Sequence, residues 1–281
     1  MTALQERLAG AAPPVGTLLA RWRRQRRMSQ LDLSGEAGVS ARHLSFVESG
    51  RARPSRDMVL RLCAALAVPQ RARNEVLLAA GFAPVFRETP LDAPAMADVL
   101  TALRMILGRH APLPGVALDA RWDIVMANPA YAAAVNACGA AARGGPPIAA
   151  LTLLPAPRPN LLRLLTHPEG YRHQLGNWPE VVRSILDRAR REVARDGDPT
   201  RRALLAEALA QPGVPKLPDL DAAGPAELIV PVVLLSPAGP LGFLSTIATL
   251  GTAQDITLQE LRIETLHPAD AATDNAMRAA G

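Results

Sequence analysis

The chain has little cysteine and almost no lysine. Its 281 residues include two cysteines, Cys63 and Cys138, and one lysine, Lys216. The two thiols are too few and too far apart for a disulfide framework or a C-x-x-C motif, so we expect a protein of the reducing cytoplasm. No base lies beside Cys138 in the sequence, and a redox role for this thiol is left open. Arginine carries almost all of the positive charge.

Long apolar runs are also missing. The longest one, Leu228–Leu235, is far short of the roughly 20 residues that a helix needs to cross a membrane. Arginines at Arg21, Arg23 and Arg24 lie where a signal peptide would have its cleavage site. These absences predict a soluble cytoplasmic protein that has no membrane partner.

The usual motifs of catalysis and metal binding do not occur in the sequence. The five histidines share no H-x-x-x-H spacing, and His167 and His173 are separated by Pro168 and Gly170, which gives poor metal geometry. A G-x-S-x-G turn, a P-loop and a dinucleotide fingerprint are absent as well. We therefore predict no catalytic residue, no metal ion and no cofactor, and we do not expect an enzyme.

Positive charge is concentrated in the first third of the chain. Residues 1–85 contain 13 arginines and six acidic residues, which gives +7, whereas residues 86–281 carry 18 basic and 20 acidic groups, which gives −2. Such an asymmetry suggests that one end meets a polyanion, although a solvated basic surface is an equal alternative. With 49% apolar residues, the chain is long enough for two domains with cores.

Start and stop signals predict an all-helical N-terminal domain over residues 1–82. Ser29, Ser40 and Ser55 each precede a helical pattern, and a serine hydroxyl can accept the free N–H groups of a first turn. Gly38 ends the helix that begins after Ser29. The five predicted helices comprise one around Leu18–Trp22 and others at Gln30–Ala37, 41–49, Arg56–Leu66 and 70–80.

The segment SQLDLSGEAGVSARHLSFVESGRARPS, from Ser29 to Ser55, resembles the Cro/repressor (XRE) type of helix-turn-helix. Gly38 lies in the turn, and Leu44 and Val47 are the inward residues of the second helix. The resemblance implies a sequence-specific domain that places this helix in the major groove of a double-stranded DNA operator. The residues that it assigns to DNA are Gln30, Ser40, Ala41, Arg42, His43, Phe46, Arg51 and Arg53.

Those residues are expected to differ in role. Arg42 can form a bidentate contact with guanine, which specifies sequence, whereas Arg51 and Arg53 are placed for phosphates. His43 is expected at a phosphate or on the free surface. Phe46 either meets a thymine methyl group or packs against its own domain.

The remainder predicts an α+β domain over residues 111–270, an antiparallel sheet with helices to one side. Before it, residues 83–110 comprise a Pro-rich connector and the amphipathic helix Ala95–Arg109, for which a linker, a dimer seam and core packing are the alternatives. After it, residues 271–281 are predicted to be a flexible tail. The predicted elements are strands at Val116–Asp119 and Asp123–Ala127, a loop at Gly139–Pro147, helices at Pro159–Thr166, Pro179–Arg195 and Pro199–Ala210, a hairpin of Leu228–Leu235 and Leu241–Leu250, and a strand at Leu261–Leu266.

Four stretches within this region resemble the ligand-binding domain of MmyB-like transcription regulators, a PAS-like module. They are LDARWDIVMAN, NLLRLLTHPEGY, NWPEVVRSILDRARRE and FLSTIATLGTAQDITLQELRIETLHPAD. The resemblance implies a pocket for a small apolar or amphipathic molecule such as a fatty acid. The candidate ligand-binding residues are Met126, Asn160, Arg163, Leu164, His167, Tyr171, Asn177, Trp178 and Val182.

Several of these candidates have structural alternatives. Asn160 and Asn177 precede apolar helices and are placed to cap them, as is Asn128 before Pro129. Trp178 suits a core position, and Arg163 suits a salt bridge.

Together, the two resemblances predict a bacterial transcription regulator. It would bind its operator as a homodimer and sense a small ligand through the C-terminal domain. Two alternatives stay open. The second domain can be a DNA-tethered PAS-like dimerisation or protein-interaction module without a ligand, or an enzyme that converts a metabolite while DNA binding autoregulates it.

Overall fold

The chain divides into two compact units between Arg87 and Glu88 in the computed structural model. Each unit has a hydrophobic core of its own. Cys138 lies outside the described residues. These are residues 13–136, 139–148, 152–218, 229–237, 239–251 and 253–280.

Unit 1, residues 1–87, is helical as predicted. Each of the three predicted serine caps is present. The Ser29 hydroxyl accepts a hydrogen bond from Asp32 N–H, the Ser40 hydroxyl accepts from His43 N–H, and the Ser55 hydroxyl accepts from Met58 N–H. The Asp32 carboxylate in turn accepts from Ser29 N–H, which completes a capping box. The helices are α1 Val15–Gln25, α2 Gln30–Ala37, α3 Ala41–Glu48, α4 Arg56–Ala65 and α5 Gln70–Ala79.

The turn between α2 and α3 depends on Gly38. This residue has φ +61°, a left-handed conformation that side chains disfavour. The turn allows Leu33 of α2 and Leu44 and Val47 of α3 to meet Trp22 in one fully buried cluster. The two motif helices therefore share a core, which fixes the orientation of the outer face of α3.

Unit 2, residues 88–281, is an α+β fold around one antiparallel sheet. The described residues of this unit form five strands in the order β2-β1-β5-β4-β3, so β5, the last of them in sequence, lies at the centre. The strands are β1 Gly115–Leu118, β2 Ile124–Ala127, β3 Val232–Ser236, β4 Gly239–Thr249 and β5 Arg262–Pro268. The helices are α6 Ala97–His110, α7 Pro129–Asn136, α8 Ala140–Arg143, α9 Leu161–Thr166, α10 Trp178–Asp196, α11 Pro199–Leu209, α12 Ile256–Glu260 and α13 Ala271–Ala280, with 3-10 turns at Pro94–Met96 and Tyr171–His173.

Helices cover both faces of this sheet, and the expectation of helices to one side is wrong in this respect. The face that carries Ala117, Val125 and Ile263 packs against Leu103 and Leu107 of α6. The opposite face packs against α7, α9 and α10. Because both leucines are fully buried, the core-packing alternative is confirmed for this face of α6.

Two segments are more regular than expected. The predicted loop at Gly139–Pro147 includes the short helix α8. The predicted flexible tail is wrong for residues 271–280, which form α13. Asp270 caps this helix by accepting from Thr273 N–H, and the Thr273 hydroxyl accepts from Gly242 N–H of β4, so the helix is attached to the sheet.

The predicted hairpin is present as β3 and β4, although Leu228 lies outside the described residues. Within the described part of the chain, no helix has the length and apolarity that crossing a membrane requires.

Candidate functional site

The outer face of α3 presents polar and basic groups on a rigid support. Leu44 and Val47 are fully buried on the inner face of α3, whereas Ser40, Arg42 and His43 are exposed at its N-terminal end. Ala41 and Phe46 are half-buried on the same helix. Of the residues that the resemblance assigns to DNA, Ser40, Arg42 and His43 are thus accessible from solvent.

Arg42 and Phe46 form a stacked pair one turn apart. The Arg42 guanidinium lies 5.5 Å from the centre of the Phe46 ring. The Phe46 carbonyl oxygen accepts from the backbone N–H groups of Arg51 and Ala52, which orders the chain directly after α3. Arg51 and Arg53 both project from this ordered segment into solvent.

Glu48 ties α1, α2 and α3 together at the base of the motif. Its carboxylate accepts from Arg23 Nε and Nη2 and from Gln30 Nε2, each at 2.8 Å. Burial opposes the ionised form, yet the hydrogen bonds from Arg23 and Gln30 and the nearby positive charge lower the pKa of Glu48. The Gln30 amide, predicted at DNA, thus has one donor committed to Glu48.

The arginines of α1 are not equivalent. Arg23 is held by Glu48, and Arg26 donates to the carbonyl oxygens of Leu66 and Ala67. Both side chains therefore stabilise unit 1. The excess charge of the first third of the chain is only partly available to a polyanion.

A cavity lies in unit 2 between the sheet and the helices of one face. Its volume is about 60 Å³, room for roughly four to six water-sized groups on the scale where one water needs about 10–15 Å³. The wall is mostly apolar. The lining residues are Pro114, Tyr131, Ala134, Leu161, Leu165, Tyr171, Leu175, Val181, Ile185, Val232, Leu234, Glu264 and Leu266.

Tyr171 is the one candidate ligand residue from the sequence that lines this cavity. Leu164 and Val182 are fully buried in the adjoining core, one residue away from the lining positions Leu165 and Val181. The helices that carry these two candidates border the cavity, but the candidate side chains face the adjoining core.

Met126 lies on the other face of the sheet. It is fully buried and belongs to the core that α6 forms with the strands. The register of the β1–β2 pair explains the difference. Met126 lies opposite Ala117 of the same core, and the register shift between Ala117 and Leu118 leaves Ile124, as well as Ala127, in the core on the cavity side.

Asn160 and Arg163 make structural contacts. Asn160 Oδ1 accepts from the N–H groups at the start of α9, as the capping alternative predicts, and its Nδ2 donates to Asp123 Oδ1 at 2.7 Å. Arg163 donates twice to Glu207, at 2.7 and 2.9 Å, which is the salt-bridge alternative. Together with His167 they lie apart from the lining of the apolar cavity. Arg163 and His167 instead line a second, more polar pocket of about 180 Å³, together with Glu207.

Asn177 and Trp178 link α10 to its neighbours. The Asn177 side chain makes no capping bond; its Oδ1 accepts from Val233 N–H and its Nδ2 donates to the Pro231 carbonyl. The capping expectation is therefore wrong for Asn177. Trp178 is a core residue whose Nε1–H donates to the Leu165 carbonyl oxygen at 2.7 Å.

Glu264 is the cavity residue that the sequence analysis missed. It lies on the central strand β5, on the same face as Leu266, and it is the only ionisable carboxylate among the lining residues. Its Oε1 accepts from the Ser245 hydroxyl at 2.7 Å. An acidic residue two positions before an inward-facing leucine of a predicted strand was the available signal.

Other chemistry is not indicated in the described residues. No group of three or more metal-ligating side chains occurs in them. Cys63 is fully buried, and burial raises the pKa of its thiol to about 12, which keeps it protonated and unreactive.

Two protein-family models match the chain. A helix-turn-helix domain model matches residues 14–76, and the model of the MmyB-like transcription regulator ligand binding domain matches residues 99–280. Both resemblances drawn from the sequence are confirmed by these matches. No curated protein matches the chain.

One solved structure with which the chain shares some similarity is titled "Structure of an RNA-binding Light-Oxygen-Voltage Receptor". The identity is 12% and the TM-score is 0.22, with 98% of this chain and 64% of that chain covered. The chain therefore spans less than two thirds of that protein, and a similarity this low carries no argument.

Proposed function

Because the ligand-binding-domain match covers more than half of its length, the chain belongs to the MmyB-like transcription regulators, and we propose that it binds a DNA operator through α3 and senses a small amphipathic ligand through the cavity of unit 2. The observation that carries the proposal is the pairing of a groove-sized helix with an exposed basic face and an apolar cavity with one charged wall residue.

The DNA half of the proposal assigns different tasks to residues at and after α3. Ser40, Ala41, Arg42 and Phe46 face base edges, with Arg42 reading guanine from its stacked position on Phe46. Arg51, Arg53 and His43 contact phosphates. Gln30 meets the backbone or a base edge while Glu48 holds its amide.

Arg42→Ala is expected to remove sequence preference, because a bidentate contact with guanine is worth about 1–3 kcal/mol of discrimination. Arg51→Ala is expected to weaken binding to all DNA sequences alike and to reduce the magnitude of the slope of log affinity against log salt concentration by about 1. Gel-shift titrations against a duplex selected from a random pool, and against scrambled duplexes at several salt concentrations, measure both effects. Arg104→Ala, on the exposed side of α6 in unit 2, is the control. Unchanged DNA binding in both variants would place the recognition surface elsewhere.

The ligand half of the proposal rests on the lining of the cavity. The wall has an apolar region for a hydrocarbon chain, formed by Leu161, Leu165, Val181 and Leu266. Tyr171 and Glu264 add polar groups to it. A fatty-acid-like ligand, with an apolar chain and one polar end, fits this distribution. The volume of about 60 Å³ suits a short chain.

We further propose that the regulator acts as a homodimer in the bacterial cytoplasm. A twofold dimer suits half-sites about one helical turn apart. Ligand binding changes operator affinity when the ligand prefers one of two dimer arrangements.

Native mass spectrometry of the purified full chain separates this proposal from its alternatives. A small amphipathic molecule that co-purifies and dissociates intact supports sensing. A chain that carries no ligand and binds none favours a dimerisation or interaction module, and chemical conversion of the molecule on incubation favours an enzyme.

A further inference from the structure

The outward face of α6 carries large apolar side chains in contact with solvent. Met105 is 51% exposed and Ile106 is 42% exposed, and the exposed Ala102 lies one turn before them. The opposite face of the same helix is held in the core of unit 2 by Leu103 and Leu107. The outward apolar face therefore lies on a helix whose position the sheet fixes, which makes it a preformed surface for a partner.

Four exposed residues of this face form a line along the helix, which we call the α6 seam: Asp98, Ala102, Met105 and Arg109. Their spacing of four, three and four positions is the repeat that faces a neighbouring helix in a two-helix seam. At about 100° per residue, the four side chains start within roughly 60° of one another around the helix axis. Ile106 borders the seam on one side.

The two ends of the seam carry opposite charges. Asp98 lies in the first turn of α6 and Arg109 in the last. Among the described residues, neither the Asp98 carboxylate nor the Arg109 guanidinium forms an ion pair or a side-chain hydrogen bond. Each charge complements the dipole at its own helix end. The helix dipole does not account for the exposed apolar residues between the two charges.

An acidic end, an apolar centre and a basic end make the seam complementary to a reversed copy of itself. A twofold axis that crosses α6 between Ala102 and Met105 places Asp98 opposite Arg109 of a second copy. The same axis places Met105 opposite Ala102 of that copy, so a large side chain meets a small one. An interface about a twofold axis requires a surface that is self-complementary in this way.

We infer that two copies of the chain associate through their α6 seams, with the two helices antiparallel. This inference rests on the proposed homodimer and names the surface that forms it. Met105 and Ile106 supply the apolar contact at the centre. The end charges determine the orientation, because a parallel pair would place Asp98 beside Asp98 and Arg109 beside Arg109 of the second copy.

Charge reversal tests this interface. Asp98→Arg gives a seam with two positive ends and Arg109→Asp gives one with two negative ends, so each variant alone is expected to raise the dissociation constant of the dimer at least about tenfold. In an equimolar mixture, positive seams pair with negative seams, and the mixture is expected to recover the wild-type constant within about threefold. Sedimentation equilibrium of the full chain without DNA measures these constants.

Two further variants complete the test. Arg104→Asp makes the same charge change as Arg109→Asp on the same helix, but it lies outside the seam, and the dissociation constant of the dimer should stay unchanged. Met105→Asp places a charge at the apolar centre and should raise that constant at least about tenfold, with no recovery when it is mixed with either end variant. Recovery in the mixture of the two end variants also shows that both are folded.

The outcomes separate the seam from the homodimer proposal. A wild-type chain that stays monomeric at the highest concentration reached overturns both. A wild-type dimer that both end variants retain, or a mixture of the end variants that stays monomeric, overturns the seam alone and places the dimer interface elsewhere.

Discussion

Replacement of Asn128 by alanine is expected to destabilise unit 2 by about 3 to 5 kcal/mol. The side chain is fully buried and serves four backbone groups. Its Oδ1 accepts from Gly115 N–H and Tyr131 N–H at 3.0 Å each, and its Nδ2 donates to the carbonyl oxygens of Leu113 at 2.7 Å and Leu107 at 3.3 Å. Truncation leaves these groups buried without partners.

The effect of Asn128→Ala is measured by urea unfolding of the full chain. Replacement of Trp22 by phenylalanine in the background leaves Trp122 and Trp178, so that fluorescence reports on unit 2. Asn128→Asp keeps the oxygen that accepts from Gly115 and Tyr131, but its second oxygen cannot donate to the carbonyl oxygens of Leu107 and Leu113. This variant is therefore also expected to be less stable than wild type. Asn275→Ala, exposed on α13, should change stability by less than about 0.5 kcal/mol. A loss below about 1 kcal/mol for Asn128→Ala would contradict its bridging role.

Gly16→Ala is expected to cost unit 1 about 3 kcal/mol. A Cβ atom at Gly16 would lie 2.2 Å from the carbonyl oxygen of Val47 and 2.8 Å from that of Glu48. These neighbours are backbone atoms at the end of α3, so they cannot rotate away as a side chain does. The missing side chain at Gly16 is what allows α1 to lie directly against α3.

Hydrogen exchange measured by mass spectrometry on peptides from α1 and α3 detects this loss as faster exchange at equal protein concentration. Gly35→Ala is the matched control, because nothing lies within 4 Å of a Cβ at this helical position. It should stabilise α2 by about 0.5–1 kcal/mol. Equal protection of α1 in wild type and Gly16→Ala would show that the two helices separate without cost.

Local chemistry explains why the N-terminal unit could be predicted closely. A cap is a contact between residues three apart, so Ser29, Ser40 and Ser55 determine helix starts without help from the rest of the chain. The left-handed Gly38 is equally local. What the sequence did not reveal is that Glu48 binds Gln30 across 18 positions, because no short-range pattern records a tertiary contact.

The cavity was harder to predict because its wall comes from distant segments. Tyr131, Tyr171 and Glu264 meet only after β5 has entered the sheet between β1 and β4. The β1–β5 pairing places Val116 opposite Glu264 across a separation of nearly 150 residues. The resemblance to the family identified a pocket, yet it could not tell which face of each helix turned inward.

Polar residues misled the site assignment for a related reason. Asn160, Asn177 and Arg163 stand out in an apolar context, which suggested ligand contacts. Each instead satisfies a partner within the fold: the start of α9, the backbone of β3 and the carboxylate of Glu207. Glu264, which lines the cavity, was not recognised because it lies within a strand pattern.

The central claim is that occupation of the cavity changes the affinity of the chain for DNA. The direct measurement is the dissociation constant for a selected operator duplex, with and without saturating butanoate, in wild type and in Ala134→Phe, which fills the cavity at a lining position. Ala133→Phe, exposed on the same helix, is the control. We expect butanoate to change the constant at least about fivefold in wild type and in Ala133→Phe and to leave the constant of Ala134→Phe unchanged. A constant that does not respond in wild type, or that responds equally in Ala134→Phe, would contradict the account.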